Sequence, residues 1–291
     1  MKGRSLHGSI ASYIQLTKPS IMLLVIFSGA TAAAMEGSLL DRPHEMGLFL
    51  LGLFLSGGAA NSLNQYFERS IDARMKRTSY RRPLPLGQIS ATSALVFSLV
   101  IGISGVLVLG FVFNLLTALL ALGTILFYGF VYTLLLKPNT SLNIVIGGVA
   151  GAMAPVGAWA AATGGTALTP WLLFLLIFLW TPPHFWSLAL CFKDDYEATE
   201  LPMLPNVRGD RATLDQAFIY VILVVLVSLI IAVDTFGWLY LTTAVILGGL
   251  YIKKAYFARK HNTHELNWKL FKFSILYLFT LLFCLLIEAL I

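Results

Sequence analysis

The stretch GLFLLGLFLSGGAANSLNQYFERSID, residues 47–72, joins a run of apolar residues directly to three regularly spaced polar ones. Asn64, Glu68 and Asp72 lie four residues apart in sequence. Four residues turn an α-helix by about 400°, so the three side chains share one narrow face. An arginine-rich segment, ARMKRTSYRRPLP (73–85), follows at once. The pattern predicts a membrane helix that ends in a row of oxygen-bearing side chains.

The composition is that of an integral membrane protein. The chain has 291 residues, of which 58% are hydrophobic and 12% charged, and its mean hydropathy is +0.81. Soluble domains carry about 25% charged residues. The net charge of +6 reflects membrane topology and not nucleic-acid binding, because the basic residues cluster in alternate loops. Cys191 and Cys284 have no metal-ligand spacing and are expected to be buried small residues.

Nine apolar segments are each long enough to cross a hydrocarbon core of about 30 Å. We therefore predict one domain over residues 1–291, with a lead at 1–16 and polar loops at 68–90 and 192–213. A cleaved signal peptide is the alternative interpretation of the first segment. The predicted spans are 17–36, 46–67, 91–111, 114–136, 142–162, 170–191, 214–233, 238–257 and 269–290.

Lysine and arginine predict the orientation of these spans. With nine spans, 19 of the 20 basic residues fall on one side and only Arg42 on the other. Basic residues accumulate in cytoplasmic loops. We therefore expect the N-terminus in the cytoplasm, the C-terminus outside, and the lipid bilayer of a bacterial inner membrane around the protein.

A second acidic cluster follows the sixth predicted span, in FKDDYEATELPMLP (192–205). It emerges on the same face as the first cluster, because the two spans differ by an even number. Carboxylate and amide oxygens suit a hard cation such as Mg²⁺, and neighbouring basic residues suit a diphosphate. The alternative is a pair of solvated helix ends. The candidate metal ligands are Asn64, Glu68, Asp72, Asp194 and Asp195.

Six stretches together resemble the UbiA-type intramembrane prenyltransferase superfamily, and within it the branch that farnesylates haem. They reach from the first span to the loop after the sixth, while the last three spans match only as apolar helices. The stretches are LTKPSI (16–21), NQYFERSIDARMKRT (64–78), RPLPLGQIS (82–90), YTLLLKPNTSLNIVIGGVAGAMAPVGAWA (132–160), PHFWSLAL (183–190) and DDYEATELPMLPNVRG (194–209).

The resemblance implies an all-α fold, an integral membrane bundle of nine transmembrane helices around a central cavity, with acidic motifs at the cytoplasmic ends of helices 2 and 6. It implies a Mg²⁺-dependent enzyme that transfers the farnesyl group of farnesyl diphosphate to a vinyl group of haem B, with addition of water, to give haem O and diphosphate. The implied catalytic residues are Asn64, Glu68, Asp72 and Asp195. The implied diphosphate-binding residues are Lys18, Arg77, Arg81, Arg82, Lys137 and Lys193.

This chain departs from the family pattern at several places. The segment Arg77–Pro83 holds one residue more than the usual R-T-x-x-R-P, so Arg81 and Arg82 are both candidates for the family's arginine. Glu200 stands where the family usually has glycine. The second acidic motif is not D-x-x-x-D, and we favour Asp195 over Asp194 because it precedes the tyrosine.

Four residues within spans are candidates for the cavity that holds haem and isoprenoid: His184, Trp186, Tyr128 and Tyr132. Pro182 and Pro183 predict an interruption of the sixth span that leaves the imidazole of His184 facing this cavity. His184 is the only one of five histidines within a predicted span, and neutral imidazole can ligate haem iron. The alternative is a kinked helix whose histidine is satisfied by a freed carbonyl. The small residues at 147–157 predict close helix packing, with cavity lining as the second interpretation.

Two other functions stay open. The acceptor is haem B or another aromatic substrate, such as 4-hydroxybenzoate or a chlorin. A transporter is the alternative from a different class, but the expected inverted repeats and midplane charges are missing. Haem A synthase or a terminal oxidase assembly are suggested partners.

Overall fold

The computed structural model describes residues 9–235 and 237–291, and within these ranges the chain forms helices and turns without strands. Lys2, Arg4 and the rest of the predicted lead up to residue 8 lie outside the described residues. The described residues contain nine long helices, in chain order α1 Pro19–Glu36, α2 Pro43–Phe67, α3 Ala91–Val112, α4 Leu115–Asn139, α5 Asn143–Thr163, α6 Leu168–Cys191, α7 Leu204–Thr235, α8 Trp238–His261 and α9 His264–Leu290.

Eight of these helices are long and apolar enough to cross a membrane, so the protein is a multi-pass integral membrane protein. The helix α8 is not among the eight, although it has 24 residues and coincides with a predicted span. Its last turns carry Lys253, Lys254 and Arg259, which lower its mean hydropathy. The predicted all-helical bundle is confirmed, and the count of nine spans stays a prediction.

Local signals in the sequence set the ends of the helices. Ser90, Asn114 and Thr263 cap α3, α4 and α9, each accepting a hydrogen bond from the backbone N–H three residues on. Such side-chain caps satisfy donors that have no partner inside the helix. Gly164 ends α5 with a φ of 73°, a left-handed conformation that glycine adopts without a steric penalty.

Small residues allow α2 and α3 to approach closely. A Cβ atom on Gly105 of α3 would lie 2.8 Å from the backbone nitrogen of Ser56 and 3.0 Å from the backbone oxygen of Gly52. Lipid tails are as apolar as leucine, so membrane helices associate through this kind of close packing more than through apolar burial. The contact fixes α2, which carries the acidic residues at its end.

The interruption predicted in α6 is wrong, and one occurs in α5 instead. Helix α6 is continuous from Leu168 to Cys191 with Pro182 and Pro183 inside it. Proline fixes φ at a helical value, and most of α6 is buried, so neighbouring helices hold the turn in place. Helix α5 is interrupted at Met153, two residues before Pro155, and so consists of the segments Asn143–Ala152 and Ala154–Thr163.

The end of α4 is wound more loosely than an α-helix. Residues Phe127–Leu136 form a π-helix, a form that is rare at this length. The wider turn stacks the rings of Tyr128 and Tyr132, whose centroids lie 5.0 Å apart with an interplanar angle of 20°. Helix α4 then continues to Lys137, at the same end of the bundle as the end of α2.

Candidate active site

Three buried polar side chains stand at the end of α2. Asn64 lies in its last turn, Glu68 caps it, and Asp72 lies in the short helix Arg69–Arg74 that follows. The backbone N–H of Glu68 bonds the carbonyl of Asn64, and that of Asp72 bonds the carbonyl of Glu68, so the predicted row of side chains continues across the cap. Each residue is at most 3% exposed.

Three cations surround these oxygens. Arg82 pairs with Asp72 and places the same nitrogen 3.8 Å from Glu68 Oε2. Lys137 Nζ lies 2.5 Å from Glu68 Oε1, and Lys18 Nζ donates to Asn64 Oδ1 at 2.6 Å. When Lys18 is protonated, three cations against two carboxylates give this cluster one positive charge. An excess of positive charge in a buried setting favours an anion.

Burial and neighbouring charges shift the ionisation of this cluster. Burial, followed by the positive charge of Arg82, lowers the pKa of Lys18 to about 7. Burial alone would raise the pKa of Glu68, but the adjacent charges of Lys137 and Lys18 outweigh it and hold the pKa below its usual value. Glu68 is therefore a carboxylate at neutral pH, while Lys18 has most to gain from an anion nearby.

The donor set suits Mg²⁺ in the way that the ion usually binds beside phosphates. The carboxylates of Glu68 and Asp72 reach one shared arginine nitrogen, so they converge on a common point. Within the described ranges, no three histidine, cysteine, aspartate or glutamate side chains form a ready set of metal ligands. Mg²⁺ typically takes one or two carboxylates and completes its shell with waters and substrate phosphates. Two carboxylates with an amide oxygen are enough for that mode.

The second acidic loop meets the arginine-rich segment. Asp195 Oδ2 accepts a hydrogen bond from the backbone N–H of Arg77 at 2.9 Å, and the guanidinium of Arg77 donates to the hydroxyl of Tyr196 at 3.2 Å. The same guanidinium lies 5.8 Å from the ring centroids of both Phe192 and Tyr196. These contacts join the loops after α2 and α6. Asp194, by contrast, is exposed.

Two predicted diphosphate-binding residues point elsewhere. Lys193 pairs at 2.9 Å with Asp210 of α7, which follows a kink in that helix at Gly209. Arg81 is exposed, whereas Arg82 contacts both carboxylates. Of the two arginines that the extra residue left open, Arg82 is therefore the one in the cluster.

An apolar cavity of about 110 Å³ begins one turn deeper than the carboxylates. Asn61 and Tyr128 line its polar end, and Phe49 and Leu109 line it further along. Asn61 and Phe49 are twelve residues apart on α2, so the cavity extends about 18 Å along that helix. The cavity is long, narrow and apolar, which suits an isoprenoid chain. The segment 147–157 contributes to its wall through Ala150, Gly151, Ala154 and Gly157.

The two tyrosines predicted for the cavity have different surroundings. Tyr128 lines it, whereas Tyr132 is buried against Gly147, where an added Cβ would lie 2.4 Å from the tyrosine ring. The small segment 147–157 thus serves both predicted purposes, since Gly147 admits Tyr132 and other members line the cavity.

His184 and Trp186 face neighbouring helices and are absent from the lining of this cavity. His184 Nδ1 lies 2.7 Å from the hydroxyl of Ser274 on α9, and the ring stacks between Trp180 and Phe271. Trp186 is fully buried and meets Tyr220 of α7 edge to face. The predicted break in α6 is therefore wrong and the imidazole does not line this cavity, while its contact with haem stays a prediction. Helix α6 is regular and turns this face to α9.

Sequence reasoning missed two polar residues of the site. Thr133 accepts a hydrogen bond from Asn64 Nδ2 at 3.1 Å and thereby fixes which way the amide oxygen points. Asn61 donates to the carbonyl of Thr17 at 3.2 Å and ties α2 to the turn before Lys18. An amide inside an apolar span was the available signal for Asn61, whereas a threonine in an apolar helix is too common to single out.

Comparisons with known proteins identify similar sequences over nearly the whole chain. The model of the UbiA prenyltransferase family matches residues 22–282. A curated protein of Bartonella bacilliformis named protoheme IX farnesyltransferase is 42% identical over 289 residues, covering 98% of this chain and 92% of its own length. One of the same name from Synechocystis sp. is 44% identical over 291 residues, covering 98% and 91%.

Solved structures share the fold at low sequence identity. A structure described as digeranylgeranylglyceryl phosphate synthase superposes with a TM-score of 0.77 at 20% identity, covering 96% of this chain and 98% of its own. A UbiA homolog from Archaeoglobus fulgidus bound to DMAPP and Mg²⁺ gives a TM-score of 0.60 at 16% identity, with coverage of 94% and 99%. These similarities concern the arrangement of the helices.

Proposed function

We propose that this chain, which belongs to the UbiA prenyltransferase family, transfers the farnesyl group of farnesyl diphosphate to a vinyl group of haem B, with addition of water, to give haem O and diphosphate. Relatives named protoheme IX farnesyltransferase, 42–44% identical over nearly the whole chain, support this choice of substrates. The observation that carries it is the placement of buried carboxylates and cations at the mouth of an apolar cavity.

The polar cluster holds the diphosphate. Glu68 and Asp72, with the amide oxygen of Asn64, are the proposed ligands of Mg²⁺, and Asp195 is their proposed counterpart on the opposite loop. Bound there, Mg²⁺ would neutralise the diphosphate and make it a better leaving group. Solved neighbours bound to prenyl diphosphates and Mg²⁺ are consistent with this use of the metal.

Three cations assist the departure of the diphosphate. Arg82, Lys137 and Lys18 all reach the carboxylate cluster now, and each has a donor to offer to a phosphate oxygen. Charge develops on the leaving oxygens as the carbon–oxygen bond breaks, so fixed positive charge in a buried site lowers the barrier. Arg77 and Lys193 are proposed as outer contacts, and Arg81 as a surface residue nearby.

The apolar cavity shields the farnesyl cation from water. Loss of diphosphate leaves an allylic farnesyl cation, which the vinyl group of haem B attacks to form a carbon–carbon bond. Water then adds to the resulting cation on the substituent and releases one proton. A cavity with apolar walls excludes water before that step, and Tyr128 at its polar end offers an aromatic face to the cation.

The protein is proposed to lie in a bacterial inner membrane, with the site at the cytoplasmic face and the C-terminus outside. Helix α8 then serves as the ninth span, since its 24 residues would extend about 36 Å and its basic last turns would lie at the cytoplasmic surface. Haem A synthase or a terminal oxidase assembly is the proposed recipient of the product.

An acceptor panel tests the choice of substrate. Purified protein is incubated with Mg²⁺, farnesyl diphosphate and either haem B or 4-hydroxybenzoate, and the products are separated by chromatography. We expect haem O from the first mixture and no prenylated product from the second. Prenylation of 4-hydroxybenzoate alone would assign the chain to a different branch of the family.

A further inference from the structure

The imidazole of His184 is held on three sides. The ring of Trp180 covers one face, with centroids 4.3 Å apart and an interplanar angle of 19°, and Phe271 covers the other at 4.6 Å and 29°. Nδ1 lies 2.7 Å from Ser274 Oγ. Among the described residues, this is the one side-chain hydrogen bond of the ring, so Nε2 is its uncommitted nitrogen.

The hydroxyl of Ser274 determines the tautomer of this ring. Ser274 Oγ lies 2.6 Å from the carbonyl oxygen of Phe271 and donates its single hydrogen there. It must therefore accept a hydrogen from His184 Nδ1. A neutral imidazole carries one N–H, so Nε2 is left with a lone pair.

This lone pair has no protein partner. Among the described residues, no hydrogen bond reaches His184 Nε2. The stacked rings prevent the imidazole from turning to find one. An acceptor in an apolar setting without a partner costs free energy unless a ligand satisfies it. The arrangement is that of a neutral nitrogen ligand whose second nitrogen is anchored by a hydrogen bond, as is usual for histidines that bind metals.

We infer that Ser274 is a positioning residue for the haem substrate, which fixes His184 as the Nδ1–H tautomer so that Nε2 ligates the haem iron. The inference rests on the proposed function and adds a subsite to it. Its position fits an amphiphilic macrocycle, because His184 lies ten residues before Asp194, about 15 Å deeper along the helix direction. Haem would thus bind within the bilayer while the diphosphate stays at its surface.

Spectral titration of the purified protein with haem B tests this ligation. We expect the wild type to give the absorption spectrum of histidine-ligated haem, and His184→Ala to lose it. Ser274→Ala removes the acceptor for Nδ1–H and should weaken haem affinity roughly 10- to 100-fold, as loss of such anchoring bonds does in metal sites. Metal-free protoporphyrin IX should bind the wild type and both variants equally, because it has no iron.

Ser228 provides a matched control. It is also a fully buried serine that donates to the carbonyl three residues before it and accepts a hydrogen bond from an aromatic residue, Tyr277. Ser228→Ala should leave the haem spectrum and affinity unchanged. An equal loss of haem affinity in the variants of Ser228 and Ser274 would overturn the inference, since it would reflect looser packing alone.

Two further measurements separate the inference from the proposed function. Farnesyl diphosphate affinity should survive in His184→Ala and Ser274→Ala, and its loss in both would mean collapse of the helix interface and would overturn the inference. Haem O formation by the wild type is assayed in parallel. If the wild type forms haem O and His184→Ala keeps the wild-type haem spectrum, the inferred ligation is refuted and the proposed function stands. If the wild type ligates haem but forms no haem O, only the proposed function is contradicted.

Discussion

At the scale of single residues, Glu68 and Asp72 are carboxyl groups with almost no access to solvent, and each is paired with a cation. Amide replacements keep the shape of both side chains and remove the charge. We expect Glu68→Gln, Asp72→Asn and Asp195→Asn each to lower turnover about 100-fold or more, the usual effect of removing one electrostatic contact to a developing charge. Turnover by purified variants, with binding of farnesyl diphosphate as a second readout, measures this.

Asp234→Asn is the control for these variants. Asp234 is an aspartate near the opposite end of α7 that accepts a hydrogen bond from Thr169 in an exposed contact, and its replacement should leave turnover unchanged. Near-normal activity in any two of the three site variants would refute the assignment of metal ligands.

The adjacent residues Arg81 and Arg82 allow the effect of a site arginine on turnover to be compared with that of a surface arginine. Arg82 contacts both carboxylates, whereas Arg81 is exposed. Arg82→Ala should lower turnover by about two orders of magnitude, because two buried carboxylates lose their shared cation and the leaving group loses a donor. Arg81→Ala should change turnover by less than about threefold, because exposed charges contribute little. A lower kcat in Arg81→Ala than in Arg82→Ala would show that Arg81 is the family's arginine.

At the scale of elements, Glu200 occupies a backbone conformation that suits glycine. Its φ is 57°, and its position is the one where the resemblance led us to expect glycine. Left-handed backbone costs a non-glycine residue about 1–2 kcal/mol, while glycine costs about 0.5–1 kcal/mol in lost chain entropy. Glu200→Gly should therefore raise the thermal midpoint of unfolding in detergent slightly.

Glu197→Gly makes the matched change three residues earlier. Glu197 is also an exposed glutamate, but it ends the short helix Lys193–Glu197, where glycine is unfavourable by up to about 1 kcal/mol. We expect a lower thermal midpoint for this variant. A lower midpoint for Glu200→Gly as well would mean that the conformation at Glu200 is not strained.

The apolar pattern predicted the helices well and their internal geometry less well. Every predicted span overlaps one helix, because runs of apolar residues bounded by basic or glycine-containing loops are a direct physical requirement of the bilayer. The predicted effect of proline was wrong. Helix α6, which is packed on several sides, continues through Pro182 and Pro183, whereas α5 is interrupted beside Pro155. Whether a proline interrupts a helix depends on how neighbouring helices pack against it, and the sequence of one segment carries no information about that packing.

The residues of the site could likewise be predicted from the sequence, whereas most of their partners could not. Helical periodicity indicates the row from Asn64 to Asp72, and these residues are buried at the end of α2. The partners of this row are distant in sequence: Lys137 reaches Glu68 across 69 residues, and Ser274 reaches His184 across 90. Only the fold brings such pairs together.

At the scale of the whole molecule, the charge asymmetry predicts which way the protein sits in its membrane. On a background without Cys191 and Cys284, single cysteines at Arg81, Lys193 and Lys260 should react with impermeant reagent only from the cytoplasmic side. Cysteines at Arg42, Thr166 and Ile291 should react only from outside, because the positive loops stay in the cytoplasm. Labelling of position 81 from outside the cell would reverse the proposed orientation.

The central claim is that one enclosed site joins a farnesyl cation to the vinyl group of haem B and then admits water. The most direct measurement is mass spectrometry of the product formed by purified protein from haem B, farnesyl diphosphate and Mg²⁺ in water enriched in oxygen-18. The account predicts one farnesyl group added to haem and one new hydroxyl that carries the heavy isotope. A haem recovered without farnesyl, or a farnesylated haem whose hydroxyl oxygen does not come from water, would contradict it.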